Sequence, residues 1–218
     1  MAVIGFIGSG NVGEALARQA LAAGHNVVMS NRHGPGSLTA AVRRLGSGAS
    51  AATPEEAAAA ADLVVIAIPF SGYPELPVAA LAGKVVIDAG NYWAPRDGQV
   101  ATLDQGNTTS SEILAARLTG SRVVKAFNTI AAAQIVDHAN PSGTPRRRAL
   151  PIAGDHTDAK ARVARFIDEV GFDTVDVGPL SAGRNRVFSP MTAWEPPLDA
   201  AHLRAAAHPT HPSQPLTS

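Results

Sequence analysis

Short runs rich in apolar residues alternate along this chain with stretches in which apolar residues recur at helical spacing. The apolar runs predict strands, at residues 3–7, 26–30, 63–68, 84–88, 122–125, 149–153 and 173–177. The helical spacing predicts helices, at residues 12–23, 38–45, from 53 onward, 73–81, 110–118 and 158–170. Strands that are apolar on both faces and alternate with helices are typical of a sheet covered on both sides. The pattern therefore predicts an α/β fold with a doubly wound, mostly parallel sheet.

The same pattern predicts the domain organisation. Residues 1–190 carry it and are expected to form a single domain, whereas residues 191–218 are rich in Pro, His, Ser and Ala and are expected to form a partly disordered, flexible tail. A long irregular stretch, 89–109, follows the apolar run at 84–88. Because loops at the carboxyl ends of parallel strands usually carry function, this stretch is a candidate part of a site.

The first apolar run leads directly into a G-x-G-x-x-G turn, which consists of Gly8, Ser9, Gly10, Asn11, Val12 and Gly13. Gly8 allows a tight turn, Gly10 lets a pyrophosphate approach the main chain, and Gly13 lets the next helix lie close to the strand. Unpaired amides at the helix start favour the phosphate charge. The order of strand, turn and helix predicts a Rossmann-type dinucleotide-binding domain. A purely structural turn is the alternative.

The residues at the end of the second predicted strand indicate which dinucleotide binds. NAD-specific sites place an Asp or Glu here to accept hydrogen bonds from the ribose 2′-hydroxyl. This chain instead has Ser30, Asn31 and Arg32, which offer neutral donors and a guanidinium suited to a phosphate dianion. The sequence therefore predicts NADP as the cofactor. The Ser9 hydroxyl and His33 are further candidate donors, with a steric filler and a solvated loop histidine as their alternatives.

Composition excludes several classes of function. The 18 basic and 18 acidic side chains balance, so nothing indicates a nucleic-acid partner, and no apolar run reaches membrane-spanning length. The chain has no cysteine, which excludes disulfides and thiolate catalysis. Three histidines in the Pro-rich tail, at 202, 208 and 211, have no acidic residues nearby to support a metal, so no metal site is predicted. With its first strand starting at residue 3, the chain is expected to lack a signal peptide and to be cytoplasmic.

Several segments together resemble the family of NADP oxidoreductases that depend on the deazaflavin coenzyme F-420, and the related reductase domain of eukaryotic membrane ferric reductases. The matching segments are 7–13, 30–32, 68–69, 124–129, 151–155 and 177–181, with Arg184. The resemblance implies that NADP lies across the strand ends, with its 2′-phosphate near Ser9, Ser30 and Arg32. It extends from residue 1 to about residue 190, and the segment after Pro190 lacks the apolar helix that the family has at its C-terminus. A homodimer is therefore left open.

By the same resemblance Ile68, Pro69 and Ala126 contact NADP, and the segment after 122–125 flanks the place of hydride transfer. The residues of that segment are Asn128, Thr129 and Ile130. The family's deazaflavin enzymes carry His where this chain has Asn128, and the Asn form occurs in relatives that reduce ordinary flavin.

Each of these predicted roles has an alternative. Asn128 would orient a carboxamide or a ring carbonyl, or it is a turn residue, and Ile130 either walls the ring or packs in the core. The aromatic segment 91–93 either walls the ring pocket or covers a core edge. Lys125 either neutralises a phosphate or is solvated. The run 146–148 of three arginines either attracts the anionic tail of the deazaflavin or forms a solvated loop, which is the favoured interpretation.

The favoured function is hydride transfer between NADP(H) and coenzyme F-420, a small-molecule redox partner. Such transfer needs stacking and orientation more than an acid or a base, which accords with the lack of an obvious catalytic constellation. One alternative keeps NADP but uses FMN, FAD, a quinone or a ferric chelate as acceptor. Another is a non-catalytic protein that binds or senses NADP.

Overall fold

The computed structural model describes residues 1–189 and 197–208, and these form one eight-stranded sheet covered by helices on both faces. The strands are β1 (Val3–Ile7), β2 (Asn26–Ser30), β3 (Ala49–Ala51), β4 (Leu63–Ile66), β5 (Val85–Asp88), β6 (Arg122–Lys125), β7 (Ala149–Gly154) and β8 (Asp173–Gly178). The helices are α1 (Asn11–Ala22), α2 (Thr39–Leu45), α3 (Pro54–Ala60), α4 (Val78–Leu81), α5 (Ala94–Asp97), α6 (Ala101–Asp104), α7 (Ser110–Arg117), α8 (Ala132–Asp137), α9 (Thr157–Glu169) and α10 (Ala200–Ala207).

The strand order places the predicted binding turn at the centre of the sheet. The order is β3-β2-β1-β4-β5-β6-β7-β8, and neighbouring strands are parallel except for the antiparallel pair β6 and β7. The order in which the chain adds strands changes direction between β1 and β4. Strands β2 and β3 lie on one side of this point, and β4 to β8 lie on the other. Ligands of doubly wound sheets bind outside the carboxyl ends of the strands at this switch point. The predicted Rossmann-type α/β fold is confirmed.

The apolar strands bury alternate residues on opposite faces of the sheet. Phe6 and Val65 belong to the core cluster beneath α1 and α9, whereas Ile7 and Ile66 belong to the cluster on the other face. All four side chains are at most 4% exposed. Both faces are thus dry, which explains why these strands read as continuous apolar runs.

Two helix starts follow from their capping residues. Thr53 accepts a hydrogen bond from the Glu56 N–H while the Glu56 carboxylate accepts one from the Thr53 N–H. Thr109 and Glu112 form the same reciprocal pair at α7. These capping boxes satisfy amides that a helix leaves unpaired at its first turn. The predicted helix starts at both places are therefore present.

The structure differs from the predicted elements in several places. The single helix predicted at 73–81 is instead a 3₁₀ turn (Phe70–Glu75) followed by α4, because Pro74 and Pro77 each lack the amide hydrogen that a continuous helix needs. The irregular stretch 89–109 contains the short helices α5 and α6. Strand β3 and helix α8 were not predicted.

The segment after Pro190 contains helix α10 in its described part. This helix packs on β7 and β8, and its Leu203 and Ala207 are buried against Val187 and Phe188. That the chain lacks the family's apolar C-terminal helix stays a prediction, because nothing in the structure identifies α10 with that helix. Residues 190–196 and 209–218 lie outside the described residues, and the domain boundary at 190 stays a prediction.

Candidate functional site

The glycine turn between β1 and α1 has the three properties that its sequence predicts. Gly8 has a φ of 117°, and a Cβ atom there would lie 2.3 Å from the Ala67 carbonyl oxygen. A Cβ at Gly13 would lie 2.2 Å from the Gly8 oxygen, whereas a Cβ at Gly10 would meet nothing within 4 Å. Gly8 and Gly13 are thus required by the fold, and the surface over Gly10 is open. Helix α1 begins after Gly10 without a side-chain cap, so its first amides face this opening.

A polar cluster lies beside this turn, where β2 ends. Asn31 donates from Nδ2 to the hydroxyl oxygens of Ser9, at 3.0 Å, and Ser37, at 3.1 Å. Arg32 is exposed, and its Nε lies 3.3 Å from Nε2 of His33. The cluster therefore joins the glycine turn to the β2 end, where a dinucleotide places its adenosine ribose. It contains no carboxylate. Ser37 was not predicted, because it is separated from Asn31 by a loop of five residues.

Ser30 does not have the predicted role. Its side chain is 0% exposed, and its hydroxyl donates to the Phe6 carbonyl oxygen at 2.7 Å. A hydroxyl that is buried and bonded to the neighbouring strand has no hydrogen to offer a phosphate in this conformation. Ser30 instead joins β2 to β1, and the Gly8 N–H donates to the Ser30 carbonyl oxygen at 3.0 Å. Its contribution is to hold the turn in place.

The loop after β6 has a strained backbone. Phe127 has a φ of 61°, a value that bulky residues rarely adopt, and its side chain is 1% exposed. Strain of this kind costs roughly 1–3 kcal/mol and persists only where surrounding contacts enforce it. Here the ring packs edge-on against Phe166, with centroids 6.2 Å apart. The buried ring fixes the direction in which the next residue, Asn128, leaves the sheet.

Asn128 is held by reciprocal amide contacts and keeps one polar atom unused. Its Nδ2 donates to Asn91 Oδ1 at 3.0 Å and to the Phe188 carbonyl oxygen at 2.9 Å, while Asn91 Nδ2 donates to the Asn128 carbonyl oxygen at 2.8 Å. Within residues 1–189 and 197–208, Asn128 Oδ1 is the only buried side-chain polar atom without a hydrogen-bond partner. A buried acceptor without a partner is rare in folded proteins and is often associated with a functional role. Asn91 was predicted only as part of an aromatic wall.

The other residues predicted around hydride transfer are buried. Thr129 and Ile130 are 4% and 5% exposed, and Ile130 belongs to the core cluster, which is the packing role that the sequence offered as its alternative. Ala126 is 0% exposed, and its N–H donates to the Asp88 carbonyl oxygen at 3.2 Å. These residues therefore support the loop from beneath. Ile68 is partly exposed and lies against Gly8, and Pro69 is exposed beside it.

A buried ion pair lies under the same loops, where the ends of β5 and β6 are adjacent. Lys125 Nζ lies 3.5 Å from Asp88 Oδ2 and donates to the Gly90 carbonyl oxygen at 3.0 Å. Asp88 is 0% exposed and Lys125 is 4% exposed. Neither predicted role of Lys125, phosphate contact or solvated side chain, is therefore correct, because its charge is already paired inside the protein. Asp88 was missed, although an acid that ends a wholly apolar strand is a signal in the sequence.

The segment after Asn91 presents an aromatic ring on a well-anchored loop. Trp93 is 60% exposed, and its N–H donates to Asp97 Oδ2 at 2.9 Å. Burial alone raises the pKa of Asp97, but hydrogen bonds from the Arg96 guanidinium and from the Trp93 and Ser71 amides outweigh burial and lower the pKa to about 2. The carboxylate therefore stays ionised and fixes the loop. Tyr92 packs against Phe70, with centroids 5.4 Å apart.

The three arginines before β7 do not form the predicted solvated loop. Arg147 is 2% exposed and pairs with Asp168 and Asp173, and Arg148 is 7% exposed with Gln134 and His138 as partners. Burial lowers the pKa of Arg148. Two of the three guanidiniums are thus structural, because carboxylates or polar groups from distant elements enclose them. Only Arg146 is exposed.

The part of the chain that the structure describes holds no group of three or more His, Asp or Glu side chains arranged to bind a metal. His202 instead contacts Asp199 at 2.7 Å, and His211 lies outside the described residues. Among the described helices, none has the length and apolar character needed to cross a membrane.

Comparisons with known proteins give the similarities of this chain. The family model described as NADP oxidoreductase, coenzyme F-420-dependent, matches residues 3–92. The crystal structure of a candidate F-420-dependent NADP reductase from Arthrobacter sp. FB24 is 25% identical, covers 89% of this chain and 91% of that chain, and superposes with a TM-score of 0.74. Over residues 3–92 the chain is similar to a family of NADP-dependent oxidoreductases. The matched residues include the glycine turn, the end of β2 and the strands β1 to β5.

Other similarities extend over most of the chain. A hypothetical protein from Sinorhizobium meliloti is 32% identical, with 92% of this chain and 94% of that chain covered and a TM-score of 0.75. Metalloreductase STEAP3 of Rattus norvegicus is 30% identical over 199 residues, 89% of this chain, and this chain spans 38% of that relative's length. An imine reductase from Aspergillus terreus, 20% identical with a TM-score of 0.61 over 88% of this chain and 59% of that one, shares the fold alone.

Proposed function

We propose that this chain transfers a hydride between NADP(H) and the deazaflavin coenzyme F-420. The observation that carries the proposal is the open surface over Gly10, at the uncapped start of α1, beside an exposed Arg32 and no carboxylate. Backbone amides at a helix start bind a pyrophosphate, and a guanidinium binds the 2′-phosphate that distinguishes NADP from NAD. Asn31 and Ser9 add neutral donors, and Ser30 is left out because its hydroxyl is already bonded.

The second half of the site would orient the nicotinamide ring. When bound, NADPH supplies a hydride from this ring to the acceptor. Acceptance from the carboxamide N–H₂, the first predicted role of Asn128, would need its Oδ1 to become exposed, because this atom is buried. Donation from Asn128 to a ring carbonyl, the other predicted role, is disfavoured because both hydrogens of its Nδ2 have partners. The buried residues Thr129 and Ile130 would exclude water from beneath the reacting atoms.

The family and the Arthrobacter structure favour a deazaflavin as the acceptor. A second candidate, reduction of a flavin or a ferric acceptor, is favoured by the similarity to metalloreductase STEAP3 and by Asn128 at the position where deazaflavin enzymes carry His. Quinones and a purely sensing role have no such observation in their favour. A cytoplasmic location and the subunit number stay predictions from the sequence.

The experiment mixes purified protein with NADPH under anaerobic conditions and with coenzyme F-420, FMN, FAD or a ferric chelate in turn, while the absorbance of NADPH is followed. The proposal predicts multiple turnovers with coenzyme F-420 and slower or no oxidation with the other acceptors. Gly10→Ala, which is expected to block the pyrophosphate, is the control for direct chemistry between the reagents. Turnover with flavin or ferric chelate alone would support the second candidate, and no turnover with any acceptor would contradict an enzymatic role.

A further inference from the structure

The carboxylate of Asp88 is surrounded by donors from four different parts of the chain. Tyr73 Oη and Ser111 Oγ each donate to it at 2.6 Å, the Gly90 N–H donates at 2.9 Å, and Lys125 Nζ lies 3.5 Å away. Every one of these groups is buried, and Asp88 itself is 0% exposed. Burial of the phenol, reinforced by the charge of Asp88, raises the pKa of Tyr73, so the phenol keeps its hydrogen. We call these four side chains, of Tyr73, Asp88, Ser111 and Lys125, the Asp88 network.

The Asp88 network binds both backbone polar groups of Gly90. The Gly90 N–H donates to Asp88, and the Gly90 carbonyl oxygen accepts from Lys125 at 3.0 Å. A Cβ at Gly90 would lie 2.6 Å from Tyr73 Oη, so no other residue fits against the network without displacing it. Asn91, the next residue, exchanges amide hydrogen bonds with Asn128. A shift of Gly90 would therefore move Asn91 and, through it, Asn128.

Such a network is costly to bury, and it lies beneath the carboxyl ends of β5 and β6. A buried ion pair loses hydration that its Coulomb attraction only partly returns, and an apolar pair of equal volume often stabilises a fold as well or better. The network lies where the two loops that carry Asn91 and Asn128 leave β5 and β6. Its position thus accords with a role in the site more than with stability alone.

We infer that the Asp88 network is a positioning device that fixes the Asn91–Asn128 pair, and with it the two loops that would flank the nicotinamide. The inference rests on the proposed function, because it concerns the same nicotinamide site. Tyr73, Asp88, Ser111 and Lys125 act through Asn91 and Asn128 and touch no reacting atom. Displacements of about 1 Å in a reactive geometry lower rates by factors on the order of 100, so partial loosening is expected to be measurable.

The test uses the double variant Tyr73→Phe/Ser111→Ala, which removes two donors to Asp88 but keeps its ion pair with Lys125. Asp88→Asn would leave Lys125 buried without its counter-ion and is expected to impair folding. The matched control is Ser121→Ala, since the Ser121 hydroxyl donates to the Leu81 carbonyl oxygen at 2.8 Å at the opposite end of β6. Three quantities are measured: the affinity for 2′,5′-ADP, the fluorescence enhancement of bound NADPH, and the kcat and KM of acceptor reduction.

The double variant is expected to bind 2′,5′-ADP like the wild type, since this ligand lacks the nicotinamide. It should lose most of the NADPH fluorescence enhancement, and kcat should fall about tenfold, with little change in the KM for NADPH. The inference is overturned if fluorescence and kcat match the wild type, or if 2′,5′-ADP binding falls equally. The fluorescence comparison needs no acceptor. If the wild type fails to reduce coenzyme F-420, this failure counts against the proposed function, and the fluorescence comparison still decides the inference.

Discussion

At the scale of single residues, the glycines of one turn serve two different physical needs. Gly13 must lack a side chain because the Gly8 carbonyl oxygen occupies that space, whereas the space over Gly10 is empty in the protein itself. Stability and ligand binding are therefore separable within six residues. If the turn were purely structural, the fold would not require a glycine at position 10, because a Cβ atom fits there.

The pair Gly10→Ala and Gly13→Ala tests this separation. Gly10→Ala should keep the thermal unfolding temperature within about 2 °C of the wild type, because the added methyl group meets no protein atom, but it should abolish NADPH binding. Gly13→Ala should lower the unfolding temperature strongly, since its methyl group would overlap the Gly8 oxygen. Calorimetric scans and NADPH titrations check both. Unimpaired NADPH binding by Gly10→Ala would contradict the placement of the pyrophosphate.

Arg32 provides the second test at this scale. Arg32→Ala is expected to weaken NADPH binding by roughly 1–3 kcal/mol, the size of a lost hydrogen bond to a charged group, and to leave NADH binding nearly unchanged. Isothermal titration of the variant with each nucleotide measures both affinities. Equal losses for NADPH and NADH would show that Arg32 does not bind the 2′-phosphate.

The role of a residue was predicted well where it depends on sequence neighbours. It was predicted poorly where the hydrogen-bond or ion-pair partner is distant in sequence. The glycine turn follows from its own spacing. Lys125 and Ser30 were misjudged, because the Asp88 carboxylate and the Phe6 carbonyl that engage them belong to other strands. The buried charges of Arg147 and Arg148 were missed for the same reason, since their partners lie on α8, α9 and β8 or close to them.

At the scale of elements, the loop that carries Trp93 depends on one carboxylate. The Asp97 side chain is 0% exposed and accepts hydrogen bonds from Ser71, Trp93 and Arg96. Its pKa of about 2 in the folded protein lies below the ordinary value of 3.8. A group with a lowered pKa stabilises the fold above its unfolded pKa and loses this contribution as the pH falls through the folded value.

The stabilisation from Asp97 should therefore be complete above about pH 4 and disappear between about pH 4 and pH 2. Because solvent screens part of these interactions, the contribution is about 1 kcal/mol. The free energy of unfolding, measured with urea, should fall by that much more in the wild type than in Asp97→Asn over this interval. Other carboxylates titrate in both proteins and cancel in the comparison. Parallel pH curves would show that Asp97 is not held in this way.

Helix α10 covers the sheet edge formed by β7 and β8. Leu203→Ala is expected to lower the free energy of unfolding by about 2–4 kcal/mol, because it removes a side chain that is 4% exposed and leaves a cavity. His202→Ala, at a side chain that is 72% exposed, should change it by less than about 0.5 kcal/mol. Chemical denaturation checks both. A negligible effect of Leu203→Ala would mean that α10 does not pack on the sheet in solution.

Element boundaries were predictable where the chain marks them and unpredictable where tertiary packing decides. The capping boxes at Thr53 and Thr109 mark helix starts unambiguously. Strand β3 is only three residues long and mostly alanine, so it has no apolar run of its own. Helix α10 has only two buried apolar side chains, Leu203 and Ala207, in a segment whose composition is typical of disorder.

At the scale of the whole molecule, the doubly wound sheet brings together sites that are distant in sequence. The turn after β1, the end of β2 and the loops after β5 and β6 all lie at the carboxyl ends of parallel strands. A dinucleotide that crosses the switch point between β1 and β4 would extend from Arg32 on one side toward Asn128 on the other. The fold class was predictable because alternation of apolar runs and helices determines it. The pairing of Asn91 with Asn128 was not, because it depends on which loops the sheet makes adjacent.

The most direct measurement of the central claim is a calorimetric titration of the wild-type protein with NADPH and with NADH at one fixed salt concentration. A guanidinium on the 2′-phosphate predicts that NADPH binds at least about tenfold more tightly, since a charge-assisted hydrogen bond contributes more than 1.4 kcal/mol. The preference should shrink as salt is added, because the contact is exposed. Equal affinities, tighter binding of NADH, or no binding of either nucleotide would contradict the account.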